Sequence, residues 1–133
     1  MNAMRKKLYI IKMLTMALLL TGCGAEQAMK KGDKFYAVGE FYDAAAQYRK
    51  AYSQTPSKER SLRGQRALKM AESYRRINYS QKAIAAYNNA LRYQQGDSVT
   101  HFRLAQQLMK TGQYKEAERH FQAFLDSSSN NPH

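Results

Sequence analysis

The sequence predicts an all-α chain. Its composition leans towards Ala, Gln, Lys, Arg, Leu and Tyr, a set that is mostly compatible with helices. Two prolines and seven glycines are too few for an all-β chain built on many tight turns. Ala83 and Ala117 are separated by 34 residues, and so are Tyr87 and Phe121. Because a period of this length is typical of stacked helical hairpins, we expect one repetitive helical domain.

Residues 1–22 are predicted to be an export signal that is removed. They begin with a positive head at residues 5–7, continue with an apolar run at residues 13–20, and end on small residues before Cys23. Lys12 interrupts the apolar segment, which is too short to cross a bilayer because a spanning helix needs about 20 apolar residues.

The four residues at this junction, Leu20-Thr21-Gly22-Cys23, resemble the lipobox of bacterial lipoproteins. The resemblance implies that Cys23 is acylated, becomes the first mature residue and anchors the protein in a membrane. An ordinary signal peptide followed by a chance cysteine is the alternative. The residue after the cysteine is Gly24 and not Asp. In this respect the chain is similar to lipoproteins that are passed on to the outer membrane. We therefore expect residues 23–24 to form a lipidated N-terminus, with the body facing the periplasm.

The charge balance indicates the kind of partner. Residues 1–22 hold four Lys or Arg and no acid, so their removal lowers the formal charge from +12 to +8. Export argues against nucleic acid as a partner. A basic exported domain meets anionic lipids, acidic cell-wall polymers or acidic protein faces. The single cysteine excludes an intramolecular disulfide framework and a multi-thiolate zinc site.

Three segments of the remaining chain share one spacing, which resembles the tetratricopeptide repeat. Small residues allow the helices of a hairpin to approach, aromatic residues fill the gap between hairpins, and Gly or Asn suits the turn. These positions are, in turn, Gly32, Ala71 and Ala105 with Ala44, Ala83 and Ala117; Tyr48, Tyr87 and Phe121; and Gly39, Asn78 and Gly112.

The resemblance implies a solenoid of three hairpins over residues 25–131, with repeats at about 25–58, 64–97 and 98–131. The interval from Ala44 to Ala83 is longer than that from Ala83 to Ala117, so we expect an insertion of five near residues 57–61, absorbed by a longer third helix. The expected helices are 25–37, 41–54, 58–77, 80–94, 98–111 and 114–127. A flexible tail is expected at residues 128–133.

No catalytic or metal-binding pattern occurs in the sequence. His101, His120 and His133 are not spaced at i, i+3 or i+4, and a metal site needs three converging ligands. A phosphate-binding glycine loop and a nucleophile elbow are also missing. We therefore expect a protein that is not an enzyme and that holds neither a cofactor nor a metal. His101 is expected to fill a partly buried aromatic position.

The resemblance also implies a ligand-facing concave surface, lined by the first helix of each repeat. The positions carried over are Met29, Asp33, Tyr36, Leu68, Glu72, Arg75, Arg76, Phe102, Gln106, Met109 and Lys110. This mixture suits a peptide or helix that docks by apolar contact and is fixed by arginine pairs. It lacks the Lys and Asn set that clamps a free C-terminal carboxylate.

The predicted third helix, residues 58–77, is the most basic element, with seven Lys or Arg against Glu59 and Glu72. It is either a contact surface for an acidic protein or polymer, or a solvated face with a charge bias. The two interpretations remain open on the sequence.

Residues 69–78, Lys-Met-Ala-Glu-Ser-Tyr-Arg-Arg-Ile-Asn, with Gly-Asp-Lys-Phe at 32–35, are similar to one further family. They resemble the N-terminal repeats of OmpA-family lipoproteins of the type IX secretion system (PorE-type). The resemblance implies an outer-membrane adaptor that binds protein partners in the envelope. It covers only the repeats, so peptidoglycan binding is not carried over. The alternatives are a structural linker between outer membrane and cell wall, and a shortened form of a longer OmpA-family lipoprotein.

Overall fold

The structure is a computed structural model that describes residues 2–130, without the side chains of residues 17–22. All regular structure within residues 2–130 is helical, which confirms the predicted all-α class. The helices are α1 (Asn2–Ala37), α2 (Phe41–Ser53), α3 (Arg60–Arg76), α4 (Ser80–Arg92), α5 (Ser98–Lys110) and α6 (Tyr114–Ser129).

Helix α1 is longer than the predicted helix at residues 25–37, because it runs without interruption from Asn2. Residues 2–21 contain no Gly or Pro and are rich in Met, Leu, Lys and Ala, which favour helix. Only the later part packs: residues 2–16 are exposed, whereas Ala25 and Ala28 are buried. Among the described residues, no helix combines the length and the apolarity that a bilayer span requires.

Helices pack as antiparallel neighbours along the chain. Helices α1 and α2, α3 and α4, and α5 and α6 form hairpins, and α2 contacts α3 as α4 contacts α5. The hairpin turns contain Gly39, Asn78 and Gly112, whose φ angles are +83°, +59° and +77°. This left-handed backbone confirms the prediction for the three turn positions. Glycine adopts it without strain, and asparagine tolerates it better than most residues.

The predicted small and aromatic positions form the core between the helices. Ala44, Ala83 and Ala117 are completely buried, and Tyr48 and Tyr87 are at most 2% exposed. A Cβ atom at Gly32 would lie 2.6 Å from Cε1 of Tyr48, so glycine is what allows α1 to approach this ring. Phe121, the aromatic residue of the last hairpin, is only partly buried.

The third helix is longer than the fifth, as the predicted five-residue insertion requires. Helix α3 has 17 residues where α5 has 13, so it begins with an extra turn at residues 60–63. The loop before it, residues 54–59, is one residue longer than the loop at residues 93–97. We call residues 54–63 the insertion segment. It lies at the end of the molecule opposite the hairpin turns, together with the first packed residues of α1.

At the C-terminus, α6 extends to Ser129, two residues beyond the predicted end. The hydroxyls of Ser127 and Ser128 donate to the carbonyl oxygen of Phe124, and that of Ser129 donates to the carbonyl oxygen of Asp126. These bonds continue the helix into the predicted tail. Residues 131–133 of that tail lie outside the described residues.

Candidate functional site

Two adjacent cavities follow the face built by α1, α3 and α5, and we call them together the groove. The apolar cavity, about 340 Å³, lies between α1 and α3. The basic cavity, about 400 Å³, lies between the end of α3 and α5. The first is lined by Asp33, Tyr36, Ala37, Tyr48, Leu68, Lys69 and Glu72, and the second by Phe41, Arg75, Arg76, Asn78, Gln106, Gln107 and Lys110.

Most of the predicted site residues line these cavities. The structure brings four of them to the apolar cavity and four to the basic cavity: Asp33, Tyr36, Leu68 and Glu72, then Arg75, Arg76, Gln106 and Lys110. Met29 packs against the core and lines neither cavity. Met109 is 47% exposed outside both cavities. Phe102 faces α6, where its ring centroid lies 5.7 Å from Phe121 and 5.2 Å from Phe124.

Glu72 is the centre of a polar cluster that joins three helices. Its Oε1 accepts a 2.5 Å hydrogen bond from the Tyr87 hydroxyl on α4 and lies 2.8 Å from Nη1 of Arg103 on α5. Its Oε2 lies 2.9 Å from Nη2 of Arg75. Burial raises the pKa of Glu72, but the bonds from Tyr87 and Arg75 outweigh burial and hold the pKa below its ordinary value. The carboxylate is therefore ionised at neutral pH and fully engaged inside the protein.

Asp33 repeats this arrangement one hairpin earlier. Its Oδ1 accepts a 2.7 Å hydrogen bond from the Tyr48 hydroxyl on α2 and lies 2.5 Å from Nζ of Lys69 on α3. Burial raises the pKa of Asp33, and the bonds from Lys69 and Tyr48 lower it to a net value below the ordinary one. In both places an acid on the first helix joins a tyrosine of its own hairpin to a base of the next hairpin.

The third hairpin lacks this polar contact. Gln106 follows Glu72 by 34 residues, and Phe121 follows Tyr87 by the same interval, so they are the residues that correspond to this pair in the last hairpin. The acid and the tyrosine are thus replaced together, since a phenyl ring offers no hydroxyl for the acid to accept from. This joint replacement agrees with a structural role for the acid–tyrosine pair.

The groove residues therefore divide into two groups. Asp33, Glu72 and Arg75 are tied to each other or to the core, which leaves them little capacity to bind a partner. Of the two arginines predicted to bind a partner, Arg75 is held by Glu72, so Arg76 is the one that remains available. Arg76 is exposed, and its Cζ lies 4.5 Å from the Phe41 ring centroid. Lys110 is also exposed and donates to Oδ1 of Asn78 at 3.2 Å. With the exposed Gln106 and the half-buried Tyr36 and Leu68, these cations form the accessible part of the groove.

Two bases of α3 also have internal roles. Arg66 is 4% exposed and donates to the hydroxyl of Thr55. Arg63 donates to the carbonyl oxygen of Thr55 at 2.6 Å and lies 4.3 Å from the Tyr52 ring centroid. Both side chains hold the insertion segment in place. They are therefore neither part of a contact surface for an acidic partner nor part of a solvated face, the two interpretations left open for the basic third helix. The sequence does not indicate that Arg66 is buried, because only the folded structure shows that Thr55 lies beside it.

His101 and His120 form a pair that local spacing along the chain does not reveal. Their Nδ1 atoms are 2.8 Å apart across α5 and α6, and their rings are stacked with centroids 5.1 Å apart. Burial lowers the pKa of His120, and the nearby His101 and Arg119 lower it further, while Glu116 opposes this. A contact this short requires one ring to donate and the other to accept. The partly buried position expected for His101 is confirmed.

Within residues 2–130, no cluster of three or more His, Cys, Asp or Glu side chains is arranged to hold a metal ion. The Cys23 thiol is exposed. On the face made by α2 and α4, the rings of Tyr42 and Tyr79 meet edge to face at 6.4 Å, and Lys82 lies 5.3 Å from the Tyr79 centroid.

Comparison of the chain with protein-family models finds no match, and a search of curated proteins finds no significant relative.

Proposed function

We propose that this chain is a tetratricopeptide-repeat lipoprotein that acts as an adaptor at the outer membrane and faces the periplasm. Its three hairpins form a solenoid, and Cys23 carries the acyl anchor after residues 1–22 are removed. The groove holds a segment of a protein partner in an envelope secretion or assembly complex of the type IX kind. The apolar cavity next to accessible cations is the observation that carries this proposal.

The repeat assignment is supported by equivalent positions that behave alike. Ala44, Ala83 and Ala117 are buried to the same extent, and each hairpin turn has left-handed backbone at the equivalent residue. Hairpins that stack through equivalent surfaces are what a solenoid requires. The contact of Asp33 with Tyr48 and Lys69, repeated around Glu72, joins successive hairpins in the same way.

The groove chemistry defines the partner segment. The apolar cavity between Tyr36 and Leu68 has room for a large apolar side chain, because about 340 Å³ lies within the usual size range of ligand pockets. Arg76 and Lys110 next to it attract a carboxylate. The expected ligand is therefore a helix or extended segment with an apolar residue followed by an acidic one.

The lipid anchor explains how the adaptor meets its partners. Confinement to a membrane surface raises the effective concentration of the groove near membrane-associated partners. Each buried methylene of an acyl chain contributes about 0.8 kcal/mol, so several chains on Cys23 hold the protein stably. Catalysis has no role in this mechanism, and no cofactor is needed for it.

The test is cross-linked capture of the lipidated protein from native envelopes, with mass spectrometry of the captured proteins. Leu68→Asp places a charge in the apolar cavity and should reduce capture of specific envelope proteins at least about tenfold. Leu125→Asp is the matched control, because Leu125 is 56% exposed on α6 and lies outside the groove. Equal capture by both variants and the parent protein would refute the groove assignment.

A structural linker between outer membrane and cell wall is the second candidate, and the face of α2 and α4 favours it. There Tyr42 and Tyr79 expose aromatic surface beside Lys82 and Arg49, a combination that suits an acidic polymer. This candidate predicts salt-sensitive sedimentation with purified peptidoglycan. Tyr79→Ala combined with Lys82→Ala should abolish sedimentation, and Leu68→Asp should leave it unchanged.

A further inference from the structure

The packed body begins immediately after Cys23. Ala25 is 1% exposed and Ala28 is 2% exposed, so the core starts two residues after the cysteine. Two residues of extended chain span about 7 Å. An acylated Cys23 therefore leaves almost no slack, and one end of the body must lie at the headgroup level of the bilayer.

The insertion segment is the part of the body beside that cysteine. A Cβ atom on Gly24 would lie 3.3 Å from Oε1 of Gln54, where α2 ends. Two residues later, Oε2 of Glu26 lies 3.5 Å from Nη2 of Arg66. The five residues that interrupt the regular repeat spacing are thus located where an anchored protein meets its membrane.

The segment is held in a fixed conformation. Thr55 is 2% exposed, donates to the carbonyl oxygen of Ala51 at 2.7 Å, and accepts from Arg66. Arg63 donates to the Thr55 carbonyl oxygen at 2.6 Å and to the Tyr93 hydroxyl at 3.2 Å. A loop fastened in this way can transmit an orientation from the membrane to the body.

The exposed side chains of this region suit an anionic surface. Lys50, Lys58 and Arg60 are exposed there, and Glu26 and Glu59 are the acids beside them. Tyr93 lies under the Arg60 guanidinium, 5.3 Å from ring centroid to Cζ. Tyrosine and basic side chains are the groups that prefer the interface between headgroups and water.

We propose that the insertion segment rests on the anionic headgroups of the bilayer that holds Cys23, and that this contact orients the groove. The inference rests on the proposed lipidation of Cys23. Thirteen residues of α1 separate Cys23 from Tyr36, a rise of about 20 Å at about 1.5 Å per residue. The groove is therefore held about 20 Å from the membrane surface, with the hairpin turns directed away from it.

The test uses the lipidated protein in vesicles of phosphatidylethanolamine and phosphatidylglycerol that carry a nitroxide on the headgroup. A fluorophore is attached through Ser57→Cys in the insertion segment, or through Lys115→Cys at the hairpin-turn end as the control. Nitroxide quenching acts only at short range, so we expect strong quenching at position 57 and little at position 115. Equal quenching at the two positions of vesicle-bound protein would overturn the proposed orientation alone.

Failure of the anchor has a different signature. Without acylation, Cys23 would itself take the label and the protein would not float with the vesicles, which would overturn both the lipidation and this inference.

Charge reversal tests the contact between the basic side chains and the headgroups. A basic residue near an anionic surface strengthens binding about fivefold. Lys50→Glu with Lys58→Glu should therefore lower quenching at position 57 to the control level, whereas Lys34→Glu with Lys115→Glu should not.

Discussion

Tyr87 donates a 2.5 Å hydrogen bond to Glu72, and this contact lies at the junction of two hairpins. The same relationship occurs between Tyr48 and Asp33, where the tyrosine again follows the acid by 15 residues. Both acids stand at positions that the sequence assigned to partner binding. Their engagement with a tyrosine and a base of the next hairpin makes them part of the scaffold that shapes the groove.

Tyr87→Phe is expected to lower the free energy of unfolding by about 1.5–3 kcal/mol, the usual contribution of a hydrogen bond to a charged group. The Glu72 side chain is only 14% exposed, so water cannot fully replace the lost hydroxyl. Urea unfolding followed by circular dichroism measures the change. Tyr48→Phe is the matched control and should cost less, because the Asp33 side chain is 49% exposed. Equal losses in the two variants would contradict this explanation.

The lowered pKa of Glu72 predicts acid sensitivity. A carboxyl whose pKa is lower in the folded than in the unfolded state stabilises the protein above the unfolded pKa, about 4.3. This contribution disappears as the pH falls below that value and through the folded pKa. Glu72→Gln should therefore flatten the fall in stability between pH 5 and pH 3, measured by urea unfolding. An unchanged slope would show that Glu72 does not carry the effect.

The histidine pair predicts a second pH effect, at higher pH. Because the pKa of His120 is lower in the folded state than in the unfolded state, the unfolded chain binds more protons around pH 6. Stability is then complete above the unfolded pKa, about 6.5, and falls as the pH is lowered. His120→Phe should remove this loss, measured by thermal unfolding at pH 7.5 and pH 5.5. A loss of the same size in the variant would exclude the pair as its origin.

Thr55→Val tests how the insertion segment is held. The replacement keeps the shape but removes the hydroxyl that joins Ala51 to Arg66, so a loss of about 1.5–3 kcal/mol is expected. Trypsin should also cleave faster after Lys58. Thr111→Val is the control, because its partly exposed hydroxyl bonds only to groups within two turns of it along the chain, the carbonyl oxygens of Gln107 and Leu108 and the side-chain amide of Gln113. Equal losses of stability in the two variants would show that the Thr55 hydroxyl does not hold Arg66 in place.

Local steric rules made part of this structure predictable. Ala83 and Ala117 are buried because close helices exclude larger side chains, and Asn78 has a φ angle of +59° because a short turn requires left-handed backbone. Both conclusions follow from residue size and spacing alone. The observed starts of α4 and α5, Ser80 and Ser98, coincide with the predicted ones.

Contacts between distant polar groups were not predicted. The spacing of Glu72 and Tyr87 repeats that of Asp33 and Tyr48, so the sequence contained the pattern, but only backbone geometry shows that the groups meet. The pair of His101 and His120 spans 19 residues, beyond any spacing along a single helix turn. Which groove residues remain accessible therefore depends on partners that periodicity does not reveal.

Occupation of the groove by a partner is tested most directly by photo-cross-linking in the native host. A photoreactive phenylalanine replaces Tyr36 in the apolar cavity or, as the control, Ala85 on the exposed face of α4. We expect discrete adducts with envelope proteins from position 36, none of them from position 85, and their loss when Leu68→Asp is added. The same adducts from both positions, or adducts at position 36 that persist with Leu68→Asp, would contradict the assignment of this groove as the partner-binding site.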